Sequence, residues 1–177
     1  LQRVLDRLVP VVAGPQALAV TDLSRFDRHQ LQSQIAAAYH QPHHPVTQSP
    51  AELTPLTIND AHGEATLTWR AVRCGDDHFI DCTSFYHTCH YLRTWAYTEL
   101  TATSAVDATF VLTSHGPADV WINGALVHEH SHFHHKFLPP QTFTAPLQAG
   151  RNTVLICFTT VAVRDCPYAL ALQVTGV

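Results

Sequence analysis

The sequence lacks methionine entirely, and no apolar run approaches the roughly 20 residues that a membrane-spanning helix needs. Charged residues are scarce, at 14% of the chain, and the net charge of -4 comes without any basic cluster. Nucleic acid and membrane are therefore not expected as partners. Because the first residue is Leu1, we expect that the amino end of this sequence is not the site of translation initiation.

Sequons for asparagine-linked glycosylation are also absent, and the cysteines are odd in number. The five cysteines are Cys74, Cys82, Cys89, Cys157 and Cys166. We expect buried free thiols, since free cysteine behaves as a small apolar residue. This expectation favours the cytoplasm over secretion. Disulfides among the first three cysteines are the alternative for a secreted protein.

Apolar residues, by contrast, are plentiful enough for one core: they make up 46% of 177 residues. Two parts of the chain differ in composition. Residues 1–62 are rich in Pro, Gln and His, whereas β-like patterns dominate afterwards. We therefore divide the chain into residues 1–62, a helix and an extended connector packed on the remainder, and residues 63–177, a β-sandwich.

The amino-terminal part carries one helical signal. An apolar stripe that begins at Leu31 predicts a helix that is capped by Ser24 or Asp27 and continues through residues 30–39. Prolines then predict an extended connector over residues 41–57 that crosses the body of the domain.

From Glu64 onward, apolar residues recur at every second position, as in half-buried strands. We predict strands near residues 64–71, 79–83, 92–101, 108–113, 118–122, 125–130, 141–147, 153–161 and 168–175. Short strands separated by turns predict an all-β fold, an antiparallel jelly-roll β-sandwich, with an amino-terminal helical and irregular segment before it.

Two turn signals separate these strands. The pair Asn123-Gly124 lies between apolar runs and predicts a two-residue type I′ hairpin, because both residues tolerate positive φ. Gly150 predicts a tight turn into the buried strand that follows it. We interpret Asn123 and Gly124 as structural residues rather than ligand contacts.

These turn segments carry a family resemblance. Val-Trp-Ile-Asn-Gly at residues 120–124, followed by Leu-x-x-Gly-x-Asn-x-Val-Leu at residues 147–155, resembles the galactose-binding-like β-sandwich modules of bacterial glycoside hydrolases of the rhamnosidase and β-galactosidase types. The resemblance covers residues 64–176, and residues 163–168 resemble a late Arg-Asp segment of such modules. It implies a non-catalytic carbohydrate-binding or accessory module of a larger glycoside hydrolase-like protein. Its partner would be carbohydrate or an adjacent catalytic domain.

A sugar site needs aromatic faces for stacking and planar polar groups for hydroxyls. Arg93 and Trp95 share one face of a predicted strand, and Arg164 and Asp165 belong to the late segment. We predict these four residues as carbohydrate contacts. No catalytic residue is assigned, because no pair of carboxylates stands in a glycosidase pattern.

Histidines crowd residues 128–135. In an extended strand, alternate imidazoles point the same way, which predicts a zinc-type site at His128, His130 and His132. A further ligand would come from one of three more distant histidines: His87, His90 or His115. The alternative is a solvated hairpin that is rich in histidine.

Acidic residues form a second polar cluster next to Gly75. Asp76, Asp77 and Asp81 offer oxygen ligands of the kind that calcium prefers. The alternative is an ordinary Gly-Asp-Asp turn. Neither zinc nor calcium is expected to be required.

Two other functions stay open on the sequence. A jelly roll with a His-x-His pair is similar to the cupins, so a metal-dependent enzyme using residues 128–135 is one alternative. The glutamate and the later histidine of the cupin pattern are missing, however. The other alternative is a structural or assembly module, a homo-oligomer in which residues 1–62 wrap a neighbour. Fourteen histidines would make such association sensitive to acid.

Overall fold

The computed structural model describes residues 9–12, 16–20, 55–60, 63–74, 76–132 and 139–176. These residues form β-strands and their connections. The strands are β1 (Val9–Val12), β2 (Gln16–Val20), β3 (Pro55–Asp60), β4 (Gly63–Thr68), β5 (Ile80–Asp81), β6 (Ser84–Ala102), β7 (Val106–Ser114), β8 (Ala118–Ile122), β9 (Ala125–His130), β10 (Gln141–Leu147), β11 (Gly150–Cys166) and β12 (Ala169–Gly176).

The strands pair into two main sheets and a hairpin. One sheet has the order β1-β6-β11-β8-β9, with β2 also paired to β6, and the other has the order β10-β7-β12-β5. The hairpin consists of β3 and β4. Every described pairing is antiparallel. The prediction of an all-β antiparallel sandwich is confirmed.

The main core lies between the two sheets. Apolar side chains at alternate positions of β6, β8 and β11 meet those of β7, β10 and β12, as period-two patterning requires. Fully buried members of this core include Phe110, Leu112, Val120, Ile156, Phe158, Leu170 and Leu172. Burying each of these large side chains contributes about 2 kcal/mol. We call the sheet face toward this core the inner face.

A second apolar cluster covers the opposite, outer face of the six-stranded sheet. Its members come from the end of β4 and from β6, β8 and β11: Leu67, Trp69, Trp95, Tyr97, Trp121, Leu155 and Cys157. Trp69 meets Tyr97 edge-on, with ring centroids 6.4 Å apart. The six-stranded sheet is therefore buried on both faces here, which explains the long uninterrupted buried stretches of β6 and β11.

Both predicted turns are confirmed. Asn123 and Gly124 have φ values of 52° and 80°, as a type I′ hairpin requires, and Gly150 has a φ of 91°. The Nδ2 of Asn123 donates to Oδ1 of Asn152 at 2.8 Å. Asn152 is fully buried, and its Nδ2 donates to the Gln148 carbonyl at 2.9 Å. The two motif asparagines thus join the β8–β9 hairpin to the turn before β11.

The amino-terminal part differs from the sequence-based expectation where the structure describes it. Residues 9–12 and 16–20 are strands that extend the six-stranded sheet, and residues 55–60 pair with β4 instead of forming a connector. These strands were not predicted because their apolar and polar residues alternate weakly and prolines occur among them. The helix predicted over residues 30–39 lies outside the described residues, and the division at residue 62 stays a prediction.

Among the described residues, four cysteines form no disulfide. Cys157 is buried, and the other three are half-buried against the main core: Cys74, Cys82 and Cys166. The fifth, Cys89, lies where side chains are not described. Within the described part of the chain, no helix is long and apolar enough to cross a membrane.

Candidate functional site

Strand β6 carries polar groups on the outer face of the six-stranded sheet. Leu92 and Ala96 of β6 pack in the main core, so the alternating residues Arg93 and Trp95 project to the other side. Arg93 is nevertheless only 5% exposed. Burying a charged guanidinium to this extent is energetically costly unless nearby groups compensate its charge.

The strand register brings groups from four strands into one row. Cys157 of β11 lies opposite Trp95 of β6 on one side and opposite Asp119 of β8 on the other. Asp119 in turn lies opposite Glu129 of β9. Directly opposed residues in an antiparallel pair have Cβ atoms about 5 Å apart, so two carboxylates meet at the end of this row.

A hydroxyl group lies in the neighbouring row of residues on the same sheet face. Thr159 of β11 lies opposite Arg93, and it projects to the outer face because Phe158 before it packs in the main core. We call Arg93, Asp119, Glu129 and Thr159 the outer polar cluster. It contains one cation, two carboxylates and one hydroxyl, drawn from four neighbouring strands.

Electrostatics show that these groups act on one another. Burial, together with the negative charge of Glu129, raises the pKa of Asp119 to about 6, against the lowering effect of the positive charge of Arg93. Like charges that face each other across strands destabilise a sheet. A carboxyl with such a displaced pKa is characteristic of a functional site, although ion-pair networks also produce one.

The Thr159 hydroxyl is the second unusual feature. Thr159 is 2% exposed, and its Oγ1 has no hydrogen-bond partner among the residues that the structure describes. A buried polar atom without a partner costs about 1–3 kcal/mol. The backbone of Thr159 lies close to the turn before β8: a Cβ on Gly116 would lie 2.0 Å from the Thr159 carbonyl oxygen, and the Thr159 N–H donates to the Pro117 carbonyl at 2.9 Å.

Aromatic rings border the outer polar cluster. Trp95 and Trp121 pack against each other with ring centroids 5.7 Å apart. Both are almost fully buried, so they form an apolar wall beside the polar groups rather than an open stacking platform. Cys157 between them is inert as a nucleophile, because complete burial raises the pKa of its thiol far above the usual range.

The four predicted sugar contacts fall into two places. Arg93 and Trp95 lie together on the outer face, as described above. Arg164 and Asp165 lie near the end of β11, five and six positions beyond Thr159, which corresponds to about 17–20 Å of strand. Asp165 is exposed and lies opposite the exposed Phe85, while the side chain of Arg164 is not among those described.

The predicted zinc ligands lie on and just after β9. The His128 ring stacks on Phe143 with centroids 4.6 Å apart, and His130 lies 5.4 Å from His132. In the described ranges, no group of three or more His, Cys, Asp or Glu side chains is arranged to hold a metal ion. His134 and His135 lie outside the described residues. A zinc site therefore stays a prediction.

The suggested additional zinc ligands are placed as follows. His115 is buried, and its Nδ1 accepts a hydrogen bond from the backbone N–H of Ala169 at 3.2 Å. His87 and His90 belong to β6, in a stretch whose side chains are not described.

The aspartates suggested as calcium ligands accept hydrogen bonds from the backbone of their own loop. Oδ1 of Asp77 accepts the backbone N–H of Phe79 at 3.1 Å, and Oδ1 of Asp81 accepts that of Thr83 at 2.8 Å. These are the local bonds by which aspartates stabilise turns. The turn interpretation accounts for both contacts, and calcium binding there stays a prediction.

Sequence reasoning did not assign Asp119, Glu129 and Thr159 to a site. Asp119 and Glu129 stand ten positions apart in the chain, and Thr159 lies in a buried apolar strand. The signal that could have found the carboxylates is the Asn123-Gly124 turn, since a two-residue hairpin places residues on its two strands opposite each other. A bulge between the Val120 and Trp121 positions shifts that register by one residue.

The chain is similar to known proteins in structure but not in sequence. No protein-family model matches the chain, and no curated protein matches it. The structure is similar to a β-glucosidase from Kluyveromyces marxianus in complex with glucose, at 14% identity and a TM-score of 0.39, over 50% of this chain and 11% of that one. It is also similar to a GH31 α-xylosidase from Xanthomonas citri, at 16% identity and a TM-score of 0.40, over 71% and 16% of the two chains.

A third similar structure is a family 35 carbohydrate-binding module from Clostridium thermocellum, at 14% identity and a TM-score of 0.34, over 55% of this chain and 89% of that one. The two enzymes are far longer than this chain, which spans 11% and 16% of their lengths. The fold class stated above rests on the strand pairing of this structure itself.

Proposed function

We propose that this chain is a non-catalytic carbohydrate-binding or accessory module that works beside a glycoside hydrolase-type catalytic domain. The observation that supports this proposal is the pair of carboxylates in the outer polar cluster, since Glu129 is exposed and Asp119 is half-buried on the same sheet face. Sugar sites use a few convergent polar groups of this kind to fix hydroxyls. The resemblance of residues 120–124 and 147–155 to galactose-binding-like modules points the same way.

Binding fits the cluster better than catalysis does. A retaining glycosidase holds a sugar between two carboxyl groups about 5 Å apart, on either side of the scissile bond. Asp119 and Glu129 instead project side by side from one sheet face, because they oppose each other on adjacent strands. A sugar ring would lie over both carboxylates rather than between them, which is the geometry of a hydrogen-bonding surface.

The test is affinity electrophoresis of the 177-residue chain in native gels that contain soluble polysaccharides. Xylan, galactan, galactomannan, β-glucan and pectin cover the main backbone types, and serum albumin serves as a reference protein. We expect retardation of the chain relative to albumin in at least one gel. Equal relative mobility in every gel, together with no signal on a glycan array, would contradict carbohydrate binding.

A further inference from the structure

An exposed aromatic ring lies where β6 begins and β11 ends. Among the described residues, the large apolar side chains that are exposed are those of Phe85 and Leu126, each at 52%. Phe85 lies directly opposite Asp165, whose side chain is exposed as well. Opposed residues of an antiparallel pair have Cβ atoms about 5 Å apart, so an aromatic face and a carboxylate lie side by side at the surface.

The two chain segments continue past this point as one ladder. The last pair of β6 with β11 and the first pair of β5 with β12 have the same register, so Pro167 lies opposite Thr83. Both residues are exposed. Cys82 and Cys166, which alternate with them, pack against the main core. The pairs that contain Phe85 and Thr83 therefore project away from the core, in rows about 7 Å apart.

Hydrogen bonds hold the backbone of this ladder in place. Oδ1 of Asp81 accepts the N–H of Thr83 at 2.8 Å, and the Thr83 hydroxyl accepts the N–H of Tyr168 at 2.9 Å. Hydrogen bonds from Thr83, first that of its side chain and then that of its backbone, lower the pKa of Asp81. The Thr83 hydroxyl is thus used within the protein, which leaves the ring of Phe85 and the carboxylate of Asp165 as the groups that face a ligand.

An aromatic face next to a carboxylate matches the chemistry of a sugar ring. A pyranose presents C–H groups on its faces and hydroxyl donors around its edge, whereas an ionised carboxylate only accepts hydrogen bonds. Resting on the proposed function, we infer that Phe85 and Asp165 form a second sugar-binding surface. A pyranose stacks on the Phe85 ring and donates hydrogen bonds from neighbouring hydroxyls to Asp165. Both side chains are exposed, so a sugar reaches them without displacing the core.

The first experiment places a fluorescent reporter on this surface. The three tryptophans of the chain are buried, so the indole of the variant Phe85→Trp is the one exposed to a soluble quencher. Acrylamide quenching is measured on the full chain, with and without each of the five polysaccharides of the electrophoresis panel. We expect a polysaccharide that retards the wild type to shield this indole and to shift its emission to the blue. The acyclic polyol sorbitol, which has hydroxyls but no ring face, should do neither.

The second experiment removes each group in turn and measures affinity by retardation in the same gels. Phe85→Ala and Asp165→Ala should each weaken binding about tenfold, because one removes the stacking face and the other the acceptor oxygens. Phe85→Tyr keeps the ring and should bind as the wild type does. The matched controls are Leu126→Ala, which removes an equally exposed apolar side chain, and Asp107→Ala, which removes an exposed carboxylate from β7. Circular dichroism and a thermal melt check that each variant folds.

The outcomes separate this surface from the proposed function. Polysaccharide binding that survives both Phe85→Ala and Asp165→Ala overturns the surface and leaves carbohydrate binding intact. An equal loss in Leu126→Ala, or in Phe85→Tyr, overturns it too, because neither change removes the ring face. If an alanine variant fails to fold, the shielding of Phe85→Trp decides, and an indole that stays fully quenched overturns the surface. Absence of binding by the wild type to every polysaccharide overturns the proposed function, and this inference with it.

Discussion

At the scale of single residues, Gly116 shows how closely two backbones approach beside the outer polar cluster. A Cβ built on Gly116 would lie 2.0 Å from the carbonyl oxygen of Thr159, a distance that real side chains do not reach. The carbonyl of Gly116 also accepts the Ser114 hydroxyl at 2.7 Å. Gly116 is therefore required for a steric reason, and its replacement must move β11 or break the turn.

Replacement of Gly116 by alanine should lower the free energy of unfolding by about 2 kcal/mol or more, because backbone atoms must shift to admit the methyl group. Urea unfolding monitored by tryptophan fluorescence measures the change. The matched control is Gly176→Ala. Its added Cβ would lie 3.6 Å from the side chain of Thr109, which is an ordinary van der Waals contact. Equal stability of the two variants would show that β11 yields easily at Thr159.

Asp119 affects stability in a pH-dependent way. Its folded-state pKa is raised to about 6 from an ordinary value of 3.8, so the folded protein favours the protonated form. The stability that this group contributes is complete below pH 3.8 and is lost as the pH rises through about 6. Asp119→Asn should therefore stabilise the protein by roughly 1–2 kcal/mol at pH 7.5 and have no such effect near pH 4.

Urea titrations at several pH values compare this variant with the wild type. The control is Asp107→Asn, which removes one carboxylate from an exposed position of β7, whereas Asp119 is half-buried. A stabilisation by Asp119→Asn that is independent of pH would contradict the interpretation.

At the scale of elements, a pair of asparagines connects two turns. Asn123 donates from Nδ2 to Asn152 at 2.8 Å, while its Oδ1 accepts the Thr153 N–H at 2.9 Å. Oδ1 of Asn152 also accepts the N–H of Gln148 at 2.8 Å. The β8–β9 hairpin and the β10–β11 turn thus share one hydrogen-bond network centred on the buried side chain of Asn152.

A double-mutant cycle measures this connection. Asn152→Ala should cost about 2–3 kcal/mol, since it removes the buried side chain that bonds the backbone of Gln148 and Gly150, and Asn123→Ala should cost less. The two changes together should cost about 1 kcal/mol less than the sum of the single effects, because they remove the same hydrogen bond. Simple additivity in urea unfolding would show that the turns form independently.

The sequence predicted the elements far better than the site. The period-two pattern located β7 because burial alternates along this strand. The strands β8 and β12 were also located, although β8 and the first half of β12 are buried at almost every position. The strands β1 to β3 were missed, since prolines and weak alternation obscure them. Arg93 and Trp95 were predicted as contacts from their shared strand face. Their neighbours Asp119 and Glu129 depend on the register of four strands, which no local pattern determines.

At the scale of the whole molecule, histidine burial makes the sandwich sensitive to acid. Burial lowers the pKa of His115, against the raising effects of its contact with Ala169 and of the Asp81 charge. The neutral ring is therefore the form that the folded state favours. Its contribution to stability is present above the ordinary pKa of 6.5 and is lost as the pH falls through the lower folded-state value.

We expect the free energy of unfolding to fall between pH 7.5 and pH 5, in part because His115 must be protonated in the unfolded chain. His115→Asn keeps a polar atom near Ala169 but cannot titrate, so its deficit relative to the wild type should shrink as the pH falls. Urea unfolding at three pH values measures this deficit, and His132→Gln at an exposed position is the control. A deficit that stays constant with pH would contradict a role for His115 protonation.

The central position of β6 and β11 has a consequence for local opening of the protein. Each has hydrogen-bonded neighbours on both sides, and apolar clusters cover both faces of the sheet around them. Their amide protons reach solvent only when the sandwich opens globally. In deuterium exchange, residues 92–100 and 152–160 should therefore exchange last and report the global unfolding free energy, whereas the edge strands β9 and β10 should exchange earlier through local fraying.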